Sequence, residues 1–144
     1  MIEDSSFSDE ILANHLLEIY LQDIKIVLKG FLDKWRKELT GKVSKINIKE
    51  LSSRWGSCSS TGTISLNWRL IMAPDDVFEY VFIHEIAHLR VKGHNREFWD
   101  VVAAKCDNYQ AKRRYLKDNT FLLMNFPKLF LQKGIFLQYK LSKW

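Results

Sequence analysis

Residues 74–94 form an apolar segment with the sequence PDDVFEYVFIHEIAHLRVKGH. Pro74 suits the first position of a helix, and the two aspartates that follow it suit the first turn, because a helix N-terminus favours negative charge. Gly93 predicts the end of this helix, since glycine is common just after a helix C-terminus. We therefore expect one buried helix that ends near Lys92.

This helix carries the motif His84-Glu85-Ile86-Ala87-His88. Histidines four residues apart lie on one helical face, with Cβ atoms about 5–6 Å apart, so one metal ion can bind both. Zinc accepts imidazole nitrogen at about 2.0–2.1 Å, and catalytic zinc sites keep a place for water beside three protein ligands. The motif therefore predicts a Zn²⁺ site in which Glu85 takes the proton of that water as general acid/base.

A third ligand is expected just beyond the helix. His94 directly follows the predicted stop at Gly93, and an imidazole suits the same borderline metal. Glu97 and Asp100 are the carboxylate alternatives. We favour His94 as the third ligand.

Further motifs flank the histidines in a fixed order: Arg54-Trp55-Gly56-Ser57-Cys58-Ser59, Ile64-Ser65-Leu66-Asn67-Trp68-Arg69-Leu70, Tyr80-Val81, and Phe98-Trp99 after His94. From about Trp35 to Leu116 the chain strongly resembles the YgjP-like metallopeptidases, which are relatives of the SprT-type and WLM-type zinc peptidases. The resemblance implies a zincin-like fold, with zinc bound by His84, His88 and His94. It also implies that Glu85 is the catalytic acid/base.

The expected fold class is α+β, with a small antiparallel or mixed sheet. An apolar stripe from Ser8 to about Leu39 predicts a long N-terminal helix, which packs on its own domain or, as the alternative, forms a coiled coil. Residues 63–68 alternate with period two and predict a strand that pairs with residues 43–48. Asn95 predicts the cap of a further helix, followed by a shorter amphipathic one through Leu116.

Several other residues are candidates for binding substrate. An edge strand in the cleft can take up a peptide as an added strand, and strand 63–68 is the candidate edge. Asn67 could bond the substrate backbone, or satisfy local backbone groups instead. Tyr80 and Tyr109 are candidate oxyanion donors or core residues, whereas Arg54 beside Trp55 suggests a stacked pair that anchors a loop.

Charge divides the chain of 144 residues into two expected parts. The net charge is +5, but four lysines lie beyond Asp118, so 18 basic residues remain to balance all 17 acidic ones. We expect a metallopeptidase domain over 1–118, with its core at about 35–118, and an apolar, basic tail over 119–144. The tail could pack on the core, bind a partner or lie on a membrane surface.

Composition excludes several protein classes. The chain is 47% hydrophobic and 27% charged, which excludes bulk disorder. Two cysteines are too few for a disulfide scaffold or a zinc ribbon, and the N-terminal sequence is acidic rather than a secretory signal. We expect a cytoplasmic protein.

The function expected from the sequence is that of a zinc-dependent peptidase acting on polypeptides. The main alternative is a non-catalytic, zinc-containing binding module. Another is a DNA-associated SprT-like protease, although the nearly neutral 1–118 segment makes nucleic acid an unfavoured partner. A third interpretation assigns the function to the tail, as an attachment to a membrane surface or to nucleic acid.

Overall fold

The structure is a computed structural model that describes residues 5–125 and 135–141. The elements are, in chain order, helices α1 (Ser5–Lys34) and α2 (Arg36–Leu39), strands β1 (Lys45–Lys49), β2 (Gly56–Cys58) and β3 (Thr63–Asn67), a 3₁₀ helix (Trp68–Met72), helices α3 (Asp75–Ala87), α4 (Arg96–Lys105) and α5 (Tyr109–Asn125), and strand β4 (Ile135–Lys140). The predicted α+β class, with a long N-terminal helix and a small mixed sheet, is confirmed.

The N-terminal helix packs on its own domain rather than forming a coiled coil. Its buried stripe includes Leu17, Ile24 and Leu28. Near its C-terminal end, Phe31 contacts the rings of Phe78 and Phe82 on α3, at centroid distances of 5.3 and 5.7 Å. This contact ties α1 to the helix that carries the histidines.

The sheet is mixed and has the strand order β2-β3-β1-β4. The predicted pairing of the first strand with residues 63–68 is confirmed: β1 and β3 are parallel, with Ile46 opposite Ile64. Strand β2 pairs antiparallel with β3, and β4 pairs antiparallel with β1. The short strand β2 is therefore an edge strand of the described sheet, and it packs against α3.

The described part of the expected tail belongs to the fold. Helix α5 continues past residue 118 to Asn125, and β4 joins the sheet beside β1. Leu141 is buried, and its amide donates to the carbonyl oxygen of Ser44 at 2.8 Å. Residues 126–134 and 142–144 of the expected tail lie outside the described residues. Across residues 5–125 and 135–141, no helix combines the length and apolar character needed to cross a bilayer.

Helix α3 is the central element of the core. It packs against β2, β3, α4 and α5. A helix that is apolar on all sides is typical of a buried position, and most of its side chains are indeed buried. The histidine motif is therefore carried by a rigid, deeply packed helix.

Candidate metal centre and active site

Three histidines converge at the C-terminal end of α3. The Nε2 atom of His94 lies 3.2 Å from the Nε2 atom of His88 and 3.2 Å from that of His84. The three candidate ligand atoms all lie within 4.8 Å of one another. Ligands at about 2.0–2.1 Å from a tetrahedral zinc ion stand roughly 3.3–3.4 Å apart. Two of the three nitrogen pairs therefore have the spacing of ligands to one metal ion.

The backbone after α3 turns sharply and brings His94 back to the helix. We expected the helix to end near Lys92, but it ends at Ala87. The physical reason is a tightened turn, in which the amides of Leu89 and Arg90 bond to carbonyls three residues earlier, at 3.0 and 3.1 Å. Gly93 then adopts a φ of +81°, a left-handed conformation that glycine enters at little cost.

The carboxylate alternatives for the third ligand are not brought to this cluster. Glu97 and Asp100 are both exposed on α4. Within the described residues, the cluster that could hold a metal consists of the three histidines alone. The geometry therefore favours His94 as the third ligand.

An aromatic wall from α4 supports the histidine rings. Asn95 caps α4 as expected, because its side-chain oxygen accepts a hydrogen bond from the amide of Phe98 at 3.0 Å. The buried ring of Phe98 stacks on His88 at a centroid distance of 4.4 Å and meets His84 edge-on at 4.9 Å. These contacts restrict ring rotation, so that the histidines keep their orientation.

The histidines are electrostatically suited to binding a metal. Burial, together with the positive charges of His88, His94 and Arg113, lowers the pKa of His84 to about 3. Burial also lowers the pKa of His88, whose Nδ1 lies 3.2 Å from the carbonyl oxygen of Val91. A metal binds the neutral imidazole, so this donor set fits a borderline divalent ion such as zinc.

Glu85 lies beside the histidines on the wall of a cleft. Its side chain is 5% exposed, and burial raises its pKa to about 7, against the opposing charge of Arg54. The space for its carboxylate depends on Gly56, because a Cβ atom there would come within 3.1 Å of both Cγ and Oε1 of Glu85. In the sequence, Gly56 is notable only as part of the Arg54–Ser59 motif, and nothing there indicates its contact with Glu85.

Two cavities meet at Gly56, His84 and Glu85. The first, of about 420 Å³, is lined by the segment from β2 to Ser60 and by the histidines. The second, of about 290 Å³, lies between α3, α5 and the start of β2. Because both cavities share these lining residues, they are the two halves of one cleft.

Strand β2, rather than β3, is the edge that lies in the cleft. We expected strand 63–68 to receive a peptide, but β3 is hydrogen-bonded on both sides, to β1 and to β2. An internal strand has no free backbone groups for a further strand, so that expectation is wrong. Gly56–Cys58 is too short to show the alternating pattern that predicts a strand from sequence.

Asn67 lies inside the protein rather than in the cleft. Its side chain is fully buried, and its amide nitrogen donates to the carbonyl oxygens of Leu51 and Arg54 at 2.9 and 3.1 Å. Its side-chain oxygen accepts from the amide of Arg69 at 3.0 Å. The geometry thus favours the local backbone alternative, in which Asn67 holds the loop that leads to β2.

The two candidate tyrosines have different surroundings. Tyr80 lines the second cavity, and its hydroxyl makes no hydrogen bond to another residue in the described part of the chain. Burial raises its pKa to about 12, so it stays a hydrogen-bond donor. Tyr109 instead stacks on Trp99 at 5.2 Å. Of the two candidates, Tyr80 is therefore the one that lines the cavity beside Glu85.

The Arg54-Trp55 motif contributes to both halves of the cleft. Arg54 lines the first cavity and Trp55 lines the second. In the same segment, the thiol of Cys58 lines the first cavity, and burial together with the charge of Glu85 raises its pKa to about 11. The motif residues expected to anchor a loop therefore lie next to the catalytic candidates.

Comparisons with known proteins show the family and the fold of this chain. A family model described as "YgjP-like, metallopeptidase domain" matches residues 1–119. The crystal structure of the metallopeptidase zymogen abylysin from Pyrococcus abyssi is similar, with a TM-score of 0.53 and 25% identity over 65% of this chain and 93% of that one. The metallopeptidase zymogen jannalysin from Methanocaldococcus jannaschii shares the fold, with a TM-score of 0.51 and 20% identity over 69% and 96% of the two chains. No curated protein sequence gives a significant match.

Proposed function

The chain belongs to the YgjP-like metallopeptidase family, and from this we propose that it is a zinc-dependent peptidase in which Glu85 is the general acid/base. The observation that carries the proposal is the convergence of three imidazole Nε2 atoms next to a buried glutamate. His84, His88 and His94 would hold the ion. A bound zinc ion supplies Lewis acidity, which acidifies water and polarises a peptide carbonyl.

Glu85 performs the proton transfers in this proposal. Its carboxylate accepts a proton from the attacking water and then delivers it to the amine that leaves the cleaved peptide bond. The packed position of α3 fixes the carboxylate next to the histidine cluster, and Gly56 leaves room for it. These features support catalysis because the group is held in place before the substrate arrives.

The substrate is proposed to bind as an extended chain along β2. This strand is an edge of the described sheet, and it lines the first cavity beside Glu85. An extended peptide can pair with such an edge through main-chain hydrogen bonds. These bonds do not depend on the side chains of the peptide. The pairing would lead the peptide from the first cavity past Glu85 into the second.

Tyr80 is proposed to donate a hydrogen bond to the substrate carbonyl oxygen as negative charge develops on it. The support is its hydroxyl in the second cavity, which makes no hydrogen bond to any described residue, and its edge-on contact with His84, at 6.1 Å between ring centroids. A preorganised donor of this kind is worth about 10²–10³-fold in rate in other acyl-transfer sites.

The alternative of a non-catalytic zinc module agrees less well with the ligand set. A structural zinc site usually fills all four positions with protein ligands. The described cluster offers three, and beside it lies a buried carboxylate, which costs free energy to keep inside the protein. These observations favour the enzyme.

The proposal is tested with metal content and peptide cleavage in the same preparations. The untagged chain should bind about one zinc and cleave an unfolded test protein in a chelator-sensitive way. Glu85→Gln should keep zinc and lose cleavage, whereas His94→Ala should lose both. His15→Ala is the matched control, because this fourth histidine is exposed on α1. Cleavage that persists in Glu85→Gln would contradict the assigned role.

A further inference from the structure

The second cavity is a compartment of the cleft with its own chemistry. It lies between α3, α5 and the start of β2, and it reaches His84 and Glu85. Its volume of about 290 Å³ suits one amino-acid side chain rather than a folded segment. A substrate residue next to the scissile bond would therefore enter it.

One face of α5 forms the outer wall of this cavity. Arg113, Leu116, Lys117 and Thr120 line it, and their spacing of three and four residues places them on one helical face. Two of these four residues are cations. Apart from Glu85, the described lining contains no acidic residue, so the wall opposite the catalytic glutamate is positively charged.

Arg113 is held in place without a carboxylate partner. Its guanidinium lies 4.7 Å from the centre of the Trp99 ring, and Trp99 in turn stacks on Tyr109. Among the described residues, no acidic group forms an ion pair with Arg113 or Lys117. A guanidinium fixed on an aromatic face keeps its N–H groups free for a planar acceptor.

We propose that this cavity binds a carboxylate of the substrate and that Arg113 recognises it. The proposal rests on the proposed peptidase function. The carboxylate has two possible sources: an acidic side chain beside the scissile bond, or the free C-terminal carboxylate of a short peptide. A guanidinium bonds either one through two parallel hydrogen bonds, and Lys117 adds positive charge beside it.

The test compares matched peptides cleaved by the full, zinc-loaded chain. Glutamate, glutamine and lysine are placed in turn on each side of the scissile bond, and each peptide is made with a free and with an amidated C-terminus. The glutamate peptide should have a kcat/KM about fivefold above that of the glutamine peptide, since Arg113 is exposed. If the terminal carboxylate is the ligand, amidation lowers kcat/KM instead.

Variants of neighbouring arginines isolate the contribution of Arg113. Arg113→Gln should abolish the preference for the carboxylate, and Arg113→Lys should keep part of it. Arg114→Gln is the matched control, because Arg114 is the next residue of α5 and is also exposed but does not line this cavity. It should keep the full preference. Thermal unfolding of each variant checks that the fold is retained.

A binding measurement separates failure of this proposal from failure of the proposed function. Affinities of the glutamate and glutamine peptides are measured by calorimetry in the zinc-loaded Glu85→Gln chain, with and without Arg113→Gln. Cleavage with no carboxylate preference overturns the proposal and leaves the peptidase intact. If no peptide is cleaved by the unsubstituted chain, the peptidase function fails. In that case a carboxylate preference in binding that Arg113→Gln removes still supports the site, and equal affinities overturn it.

Discussion

Gly56 lies so close to Glu85 that a Cβ atom on the glycine would come within 3.1 Å of the glutamate Cγ and Oε1 atoms. The same Cβ would also lie 3.1 Å from the carbonyl oxygen of Ser65 in the neighbouring strand. Because the backbone carbonyl cannot move freely, the glutamate side chain must give way. The catalytic geometry thus depends on a residue that carries no functional group.

Gly56→Ala should lower activity and leave metal binding intact. Displacement of the Glu85 carboxylate by a few tenths of an ångström is expected to reduce kcat/KM by about tenfold or more. The measurement is steady-state cleavage together with zinc content. Gly30→Ala is the control, because no atom lies within 4 Å of its added Cβ on the exposed side of α1. It should keep activity and stabilise the chain by about 0.5–1 kcal/mol. Unchanged activity in Gly56→Ala would contradict the positioning of Glu85 by Gly56.

Asn67→Ala should destabilise the protein. The substitution leaves two carbonyl oxygens and one amide inside the protein without their partner. We expect a loss of about 2 kcal/mol in the free energy of unfolding, measured with urea. If Asn67 instead contacts the substrate directly, the substitution should raise KM and leave the free energy of unfolding unchanged. That result would support the substrate-binding role of Asn67.

The metal-free protein should lose stability as the pH rises through the range in which Glu85 ionises. Burial raises the pKa of Glu85 from 4.5 to about 7. Below pH 4.5 the carboxyl is protonated in both the folded and the unfolded states. Between pH 4.5 and pH 7 the unfolded chain has released this proton, whereas the folded protein still holds it. The free energy of unfolding therefore falls by about 3 kcal/mol across this range and is constant again above it.

Urea unfolding of chelator-treated protein at pH 4.5 and pH 8 checks this expectation. Glu85→Gln has no proton to release, so it should be more stable than the unsubstituted chain at pH 8 and similar to it at pH 4.5. A difference between the two proteins that is the same at both pH values would argue against the raised pKa of Glu85.

Cys58 should react slowly with alkylating agents despite lining the cleft. Its pKa of about 11, against an ordinary 9, reduces the thiolate at pH 8 by roughly a hundredfold. Glu85→Gln removes one cause of this shift and should speed the reaction. Iodoacetamide labelling followed by mass spectrometry measures the rate, and Cys58→Ser shows which signal comes from Cys106. Labelling of Cys58 as fast as that of a free thiol would contradict the prediction.

The histidine cluster could be predicted because it depends on local spacing. His84 and His88 are brought together by the helix period alone, and His94 follows after a glycine that can turn the backbone. The pairing of β1 with β3 also follows from their alternating patterns. In each case, a physical constraint acts between residues that are near in sequence or share a clear periodicity.

The remaining features depend on long-range contacts. Strand β4 exists because it pairs with β1, about ninety residues earlier, and its sequence alone does not select that partner. The expected boundary at residue 118 follows a change in charge, but α5 crosses it without interruption. The position of Arg113 beside the cleft also depends on such contacts, because the packing of α5 against α3 turns this face of α5 toward the second cavity.

Strand β4 has a consequence for which molecules can reach the catalytic glutamate. It covers β1, so the two edges of the described sheet are β2 and β4, and of these β2 is the one that lines the cavity beside Glu85. A polypeptide that paired with the free edge of β2 would lie beside Glu85, and only an extended segment can pair with a strand in this way. We therefore expect the conformation of a substrate to matter before its side chains do: an extended, unfolded segment can pair with β2, whereas a helix or a folded domain cannot.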